Sequence, residues 1–337
     1  MATTHISNSH LANIAYSKVQ HIVTTLGLSL LALIAFTPAM ADQAYITNQG
    51  DNTVSVIDLD TLQVTATIAV GKSPVGVATS SKLGKVYISN VDSHSVSVID
   101  SQQLQVTDTI DIAGSPVGIA LSPDSRTLYV ADWNDNRILA INTANTAERR
   151  EVSIGKAPAG IMISPDGSKL LVANRDSNDL AIIDTASLKV LQRIATGAHP
   201  FGIAASADGK KVFSVNVYAN SLSILDLSNG SSQTIAVGEH PYCVIVSPDN
   251  RYAYVTNTQA DSVSVIDLAL GKEISKIHVG GFPEGINYDA KRQKIYVANW
   301  FDNSVSVIDA SSHKHLKDIP TGKQSRAFGQ FILKTSH

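Results

Sequence analysis

The sequence predicts an all-β protein, a seven-bladed β-propeller of four-stranded antiparallel blades, and three observations carry that expectation. One four-residue word recurs seven times at spacings of 41 or 42 residues: YITN at 45–48, YISN at 87–90, YVAD at 129–132, LVAN at 171–174, FSVN at 213–216, YVTN at 254–257 and YVAN at 296–299. Each copy is embedded in short apolar runs cut by turn signals. The chain also ends on one unmatched apolar run at 327–333, in FGQFIL.

The elements follow in order. A polar stretch with Lys18 leads into an apolar run at 26–36, then Pro38 and the small-residue pattern Ala39-Met40-Ala41. A single short apolar segment ending in this way reads as a secretory signal peptide over 1–41, since a membrane span needs about 20 apolar residues. The leader is long, so an internal start or an uncleaved anchor stays open. The expected protein is exported to the periplasm or cell surface, with a single domain over 42–337.

One repeat, taken from Pro116, shows apolar runs at 117–121, 128–131, 138–141 and 151–154, the strands A to D of a blade. The A–B turns recur as SPDG, SADG and SPDN, with residues that supply the φ values a tight turn needs. Asp58, Asp100, Asn142, Asp184, Asp226, Asp267 and Asp309 share one place at the end of strand C, where a side-chain acceptor starts the C–D turn. The Asn or Asp closing each tetrad is read as doing similar work before the B–C turn. The domain opens with a B strand at 44–47 and ends with a lone A strand at 327–333. That last strand is expected to complete the first blade and hide the seam.

These tetrads, the SVSVID runs and the G-x-x-P-x-G turns resemble the YVTN family of seven-bladed propellers, over about residues 44–333. The family includes surface-layer proteins and exported bacterial proteins, so the resemblance implies an envelope role. One exported relative type binds single-stranded DNA, which makes that ligand possible here.

Composition narrows the classes. Hydrophobic residues are 44% and charged residues 16%, as in a well-buried globular domain. Residues 1–41 hold one Lys and no acid, so the mature net charge is 25 − 29 = −4, which does not suggest a dedicated nucleic-acid binder. The single cysteine, Cys243, allows no intramolecular disulfide and no covalent c-type haem, and is read as a buried, inert thiol. There is no nucleophile elbow, HExxH, phosphate loop or dinucleotide fingerprint, and no cofactor or resident metal is expected.

What all repeats share is scaffold, so deviations mark the candidate site. Strand alternation puts the D–A and B–C loops on one face. Three D–A loops are plain, with Lys72 and Lys156 their only charges; the others bring His199 and Phe201, then Glu239, His240 and Tyr242, then Phe282 and Glu284, then Lys323 and Arg326. The B–C loops add Trp133, Arg137, Arg175, Tyr218, Trp300 and Phe301, with His94 in an Asn place as a turn residue. A lone ring there can simply pack on the next blade. Taken together, Trp133, Trp300, Phe201, Tyr242, Phe282, Lys156 and Arg175 are the expected ligand-binding face, because aromatic and arginine side chains are favoured anchors. The expected partner is an envelope protein or glycan, and the protein is expected to be monomeric. The alternative is a lactonase- or lyase-like enzyme working through His199, His240, Glu284 and Arg326. A third branch assists a periplasmic redox or metal system.

Overall fold

The computed structural model describes Met1 and residues 41–335; the leader read at 1–41 lies, but for those two end residues, outside them. The described chain forms seven sheets, six of four strands and one of five. In blade 5 the strands Pro200–Ala205, Lys211–Asn216, Ser221–Asp226 and Ser232–Ala236 pair antiparallel in sequence order. Strands B and C are buried on both faces between blades, whereas the outermost strand D is largely exposed. That is why each tetrad is apolar up to small hydroxyl residues and its closing Asn or Asp, while strand D tolerates Gln, Thr and Lys. Among the described residues one 3-10 turn, Arg175–Ser177, interrupts the run of strands.

The asparagine that closes each tetrad does not start the turn, contrary to the sequence reading. It is fully buried, so its amide needs partners that water cannot supply. Asn216 Nδ2 donates across the hairpin to Ser221 Oγ at 3.0 Å and Ser223 Oγ at 2.9 Å, and Asn299 repeats this with Ser304 and Ser306. The serines of the SVSVID runs are therefore its partners. In blade 3 the tetrad ends in Asp132, and Arg137 replaces the serine, with Nε 3.0 Å from Asp132 Oδ2. Arg137 is thus built into the scaffold. Asp58 and its equivalents behave as expected: Asp58 Oδ1 accepts the N–H groups of Asp60 and Thr61 at 2.9 and 2.7 Å.

Strand A slips register by one residue after its proline, as between Pro200 and Ile203, and this bulge turns the inner strand toward the axis. There the blades crowd. A Cβ on Gly160 would stand 2.1 Å from the Phe201 carbonyl oxygen, so only glycine fits.

The C-terminal strand closes the ring as expected. Ile332–Leu333 pairs with Gln43–Asn48, and Tyr45 N–H donates to Phe331 O at 2.9 Å. The expected single strand at 327–333 is, however, broken in two. Phe328–Gln330 leaves blade 1 and adds a parallel fifth strand beside Pro74–Ser80 of blade 2. The cause is surplus chain: eight residues from Ser325 to Ile332 span the partner interval from Asn48 to Ala44, where blade 5 uses six, from Pro200 to Ala205. The surplus bows into the axis and is pinned by Asn287, whose Oδ1 accepts Phe331 N–H at 2.9 Å and whose Nδ2 donates to Gly329 O at 2.9 Å.

Candidate functional site: an aromatic funnel with an arginine at its axial end

The D–A and B–C loops meet on one face because a latch repeats around the ring. In six of the seven blades the first residue of strand C is preceded by a left-handed Asn or Asp, such as Asn178, Asn220 and Asp261, with φ of 55°, 48° and 46°. Its side-chain oxygen accepts a backbone N–H from the D–A loop 20 or 21 residues on: His199 at 2.8 Å, His240 at 2.9 Å and Phe282 at 2.9 Å. Those three residues are left-handed too, which costs a non-glycine roughly 1 kcal/mol, and the latch offsets the strain. His94 takes the same left-handed place, and its Nδ1 lies 2.6 Å from Gly114 O.

The residue after each loop proline points to the axis. Round the ring these are Val75, Val117, Ala159, Phe201, Tyr242 and Glu284, with Arg326 after Ser325 completing the seven. Half of the ring is small and apolar; the other half is bulky or charged. A cavity of about 820 Å³ opens above it, lined by Trp133, Arg175, Phe201, Tyr218, His240, Tyr242, Phe282, Arg326 and Gln49 among others. Its wall is a chain of rings: Trp133 to Phe201 at 6.2 Å and Phe201 to Tyr242 at 4.3 Å. Arg175 Cζ lies 5.6 Å from both the Trp133 and Tyr218 ring centroids, bridging the two.

Phe328 closes the bottom of this wall, 5.1 Å from Phe201 and 6.0 Å from Tyr242. Beyond it a second cavity of about 510 Å³, lined by inner-strand residues such as Ile161, Ile203, Val244 and Cys243, shares no lining residue with the first. The C-terminal bow therefore divides the channel.

Glu284 is 2% exposed and reaches only Arg326, whose Nε stands 2.5 Å from Glu284 Oε2 without the alignment of a hydrogen bond. Burial pushes the Glu284 carboxyl up to about 6, against the pull of Arg326. Arg326 Nη2 donates to the Tyr242 hydroxyl and Nη1 to Gln49 Oε1 at 3.3 Å. Although burial opposes its charge, Glu284 and Tyr242 hold the guanidinium above its ordinary range. Burial also raises the Cys243 thiol well above its usual value, as expected of an inert cysteine.

Of the residues singled out in the sequence, Trp133, Arg175, Phe201, Tyr242 and Phe282 share the cavity, as do His240 and Arg326. Trp300 does not line it. Its ring packs 5.8 Å from Phe282 and its Nε1 donates to Gln49 Oε1 at 3.1 Å. Lys156 is exposed on the rim, and His199 stacks on Tyr218 at 4.3 Å, also outside the lining. The four residues of the catalytic alternative therefore do not converge: only Glu284 and Arg326 touch. Among the described residues no three His, Cys, Asp or Glu side chains gather as a metal site would require. Gln49, which holds both Arg326 and Trp300, was not singled out; it follows the first tetrad and looks like any polar loop residue.

The family profile of the YNCE-like beta-propellers matches residues 19–334. The chain belongs to that family. No curated protein matches it. Among solved structures, a chain of Kuenenia stuttgartiensis hydrazine synthase is similar with a TM-score of 0.71 at 24% identity, over 79% of this chain and 91% of that one. A functionally unknown protein from Desulfotomaculum acetoxidans gives 0.76 at 17%, over 88% and 100%. The dihydro-heme d1 dehydrogenase NirN in complex with DHE gives 0.67 at 15%, over 83% and 73%. At these identities the likeness concerns the fold, and this YNCE-like propeller shares its architecture with proteins of unrelated activity.

Proposed function

We propose that this YNCE-like propeller is an exported, non-catalytic binding module that engages its partner through the aromatic funnel. The observation that carries the reading is the continuous wall of Trp133, Phe201 and Tyr242, with Arg175 held between Trp133 and Tyr218, over a cavity of about 820 Å³. Ligand pockets run roughly 300–1,000 Å³, and this one falls in that range, with polar and charged side chains interleaved among its rings and valines. Its rings are held against one another and its loops are latched, so little ordering is left to oppose binding.

The tetrads support a YVTN-type envelope protein, and the leader supports export to the periplasm or cell surface. A protein segment or glycan of the envelope is the partner we favour. Single-stranded DNA would use the same rings for stacking, at about 1–3 kcal/mol per base. Catalysis is the weaker reading, because a general base must reach its proton and Glu284 lies buried under Arg326.

The test is calorimetric binding of candidate envelope glycans, peptides and oligonucleotides to the native protein and to the Trp133→Ala/Arg175→Ala variant. The expected result is at least about a tenfold loss in the variant, with Lys156→Ala nearly silent. A partner bound equally by all three proteins would contradict the reading.

A further inference from the structure

Arg326 is the single cation among the seven axial ring positions, and its hydrogen-bonding capacity is not used up. Nη1 and Nη2 each carry two N–H groups; one goes to Gln49 and one to Tyr242, leaving one on each nitrogen. About a fifth of the side chain, 21%, stays exposed, and that part lines the funnel. One spare donor on each terminal nitrogen suits the two oxygens of one carboxylate. Because Arg326 stands at the axial end of the cavity behind aromatic walls, the anion it meets must be the end group of a ligand.

We propose that the funnel takes the terminal carboxylate of an aromatic or apolar ligand onto Arg326, and that Glu284 accepts a proton as that charge arrives. The proposal rests on the funnel being the binding site and adds the ligand's chemistry. Two carboxylates sharing one guanidinium in a buried place cannot both stay ionised cheaply, so the more buried one takes up a proton from solvent. The ionisable groups facing Glu284 are Arg326 from the closing loop and Tyr242 and Cys243 from the inner strand of blade 6. Burial pushes both of the latter upward, leaving Glu284 as the group that titrates. In the free protein Glu284 already titrates near pH 6, and a neighbouring anion raises it further. Affinity therefore rises as pH falls from neutral toward 6 and levels off below. The carboxylate could belong to a free aromatic acid or to the C-terminal residue of a partner chain.

The probes are 3-phenylpropionate, its neutral amide, and a short peptide ending in phenylalanine as free acid and as amide. Each is titrated from about pH 5 to about pH 8, across the Glu284 range, with Trp133 emission read in Trp300→Phe protein. At the acidic end an acid should bind at least about ten times more tightly than its amide, with the gap narrowing toward the basic end. Calorimetry of the unaltered protein in two buffers of different ionisation enthalpy should show proton uptake near neutral pH, whether or not any variant folds. Glu284→Gln should keep the acid preference and lose its pH dependence, and Arg326→Gln should lose the preference. The better of the two acids assigns the source, small molecule or chain terminus. Equal binding of acid and amide would overturn the proposal while leaving the funnel as a binding site. An acid preference without pH dependence or proton uptake would overturn it too, as would failure of all four probes to bind.

Discussion

Arg292 Nη1 lies 2.8 Å from Asp42 Oδ2 and 2.9 Å from Asp289 Oδ2, so one guanidinium ties the chain just before the first strand to blade 7. Asp60 adds a third carboxylate at 2.5 Å, and Asp42 Oδ1 accepts Thr335 N–H at 2.8 Å. Both ends of the propeller meet at this clamp. It reinforces a seam whose strand pairing is only two residues long.

Removing Arg292 should therefore be costly. Asp42 and Asp289 side chains are 6% and 2% exposed, and truncating the cation leaves Asp42 to Lys291 and Thr335 and Asp289 to backbone donors alone. Arg292→Ala should lose about 3–5 kcal/mol in urea unfolding.

The clamp also predicts acid sensitivity. Burial works to raise the Asp42 carboxyl, but hydrogen bonds from Arg292 and Thr335 and the charge of Lys291 together hold it well below the carboxylate range. A depressed carboxyl stabilises the fold above its unfolded value, near 4, and that contribution is lost as pH falls below it. Melting temperature should drop on acidification below about pH 4. Asp42→Asn should start lower and show less of the drop.

Glu284 predicts the opposite slope. Its folded carboxyl titrates near 6, above the ordinary 4.5, so the native state binds the extra proton and stability falls as pH rises through that interval. Glu284→Gln should flatten the profile between about pH 4 and pH 6, by roughly 2 kcal/mol at most.

Asp132 and Arg137 replace the Asn–Ser pairing of blades 2, 5, 6 and 7, and this is testable as a swap. Arg137→Ala leaves Asp132, which is 0% exposed, without its cation, and should cost about 3 kcal/mol. The double change Asp132→Asn with Arg137→Ser restores the pattern seen at Asn216 and Ser221 and should recover most of that loss in the same unfolding assay.

Phe328→Ala should open the divider between the two cavities. The ring is 5% exposed among Phe201 and Tyr242, so the loss should be about 3–5 kcal/mol. Ring closure through Ile332–Leu333 should survive, and size-exclusion elution should be unchanged.

The blade architecture was legible in the sequence because every blade repeats it: tetrad, Asx turn and loop proline each recur at one spacing. The path of the closing strand was hidden, since it depends on two surplus residues whose excess shows only against the register of Asn48 and Ala44. The role of the tetrad Asn was misread because short-range turn chemistry competes with a cross-strand partner, and burial decides between them. In the funnel, departures from the repeat located Trp133, Phe201, Tyr242 and Arg175. How far each loop residue stands from the axis is not written in the repeat, so Trp300, which packs behind Phe282, and Lys156, out on the rim, were grouped with side chains that line the cavity. Arg326 could have been placed on the axial ring by aligning Ser325 with the loop prolines.

The most direct test uses Trp133 as the sole fluorophore. The protein has two tryptophans, and Trp300→Phe leaves only the one in the funnel wall. Titration with glycans, peptides, aromatic acids and single-stranded oligonucleotides should give a saturable emission change with one class, abolished by Arg175→Ala. Tight binding of a partner, measured independently, with Trp133 emission unmoved and Arg175→Ala without effect would place the site elsewhere.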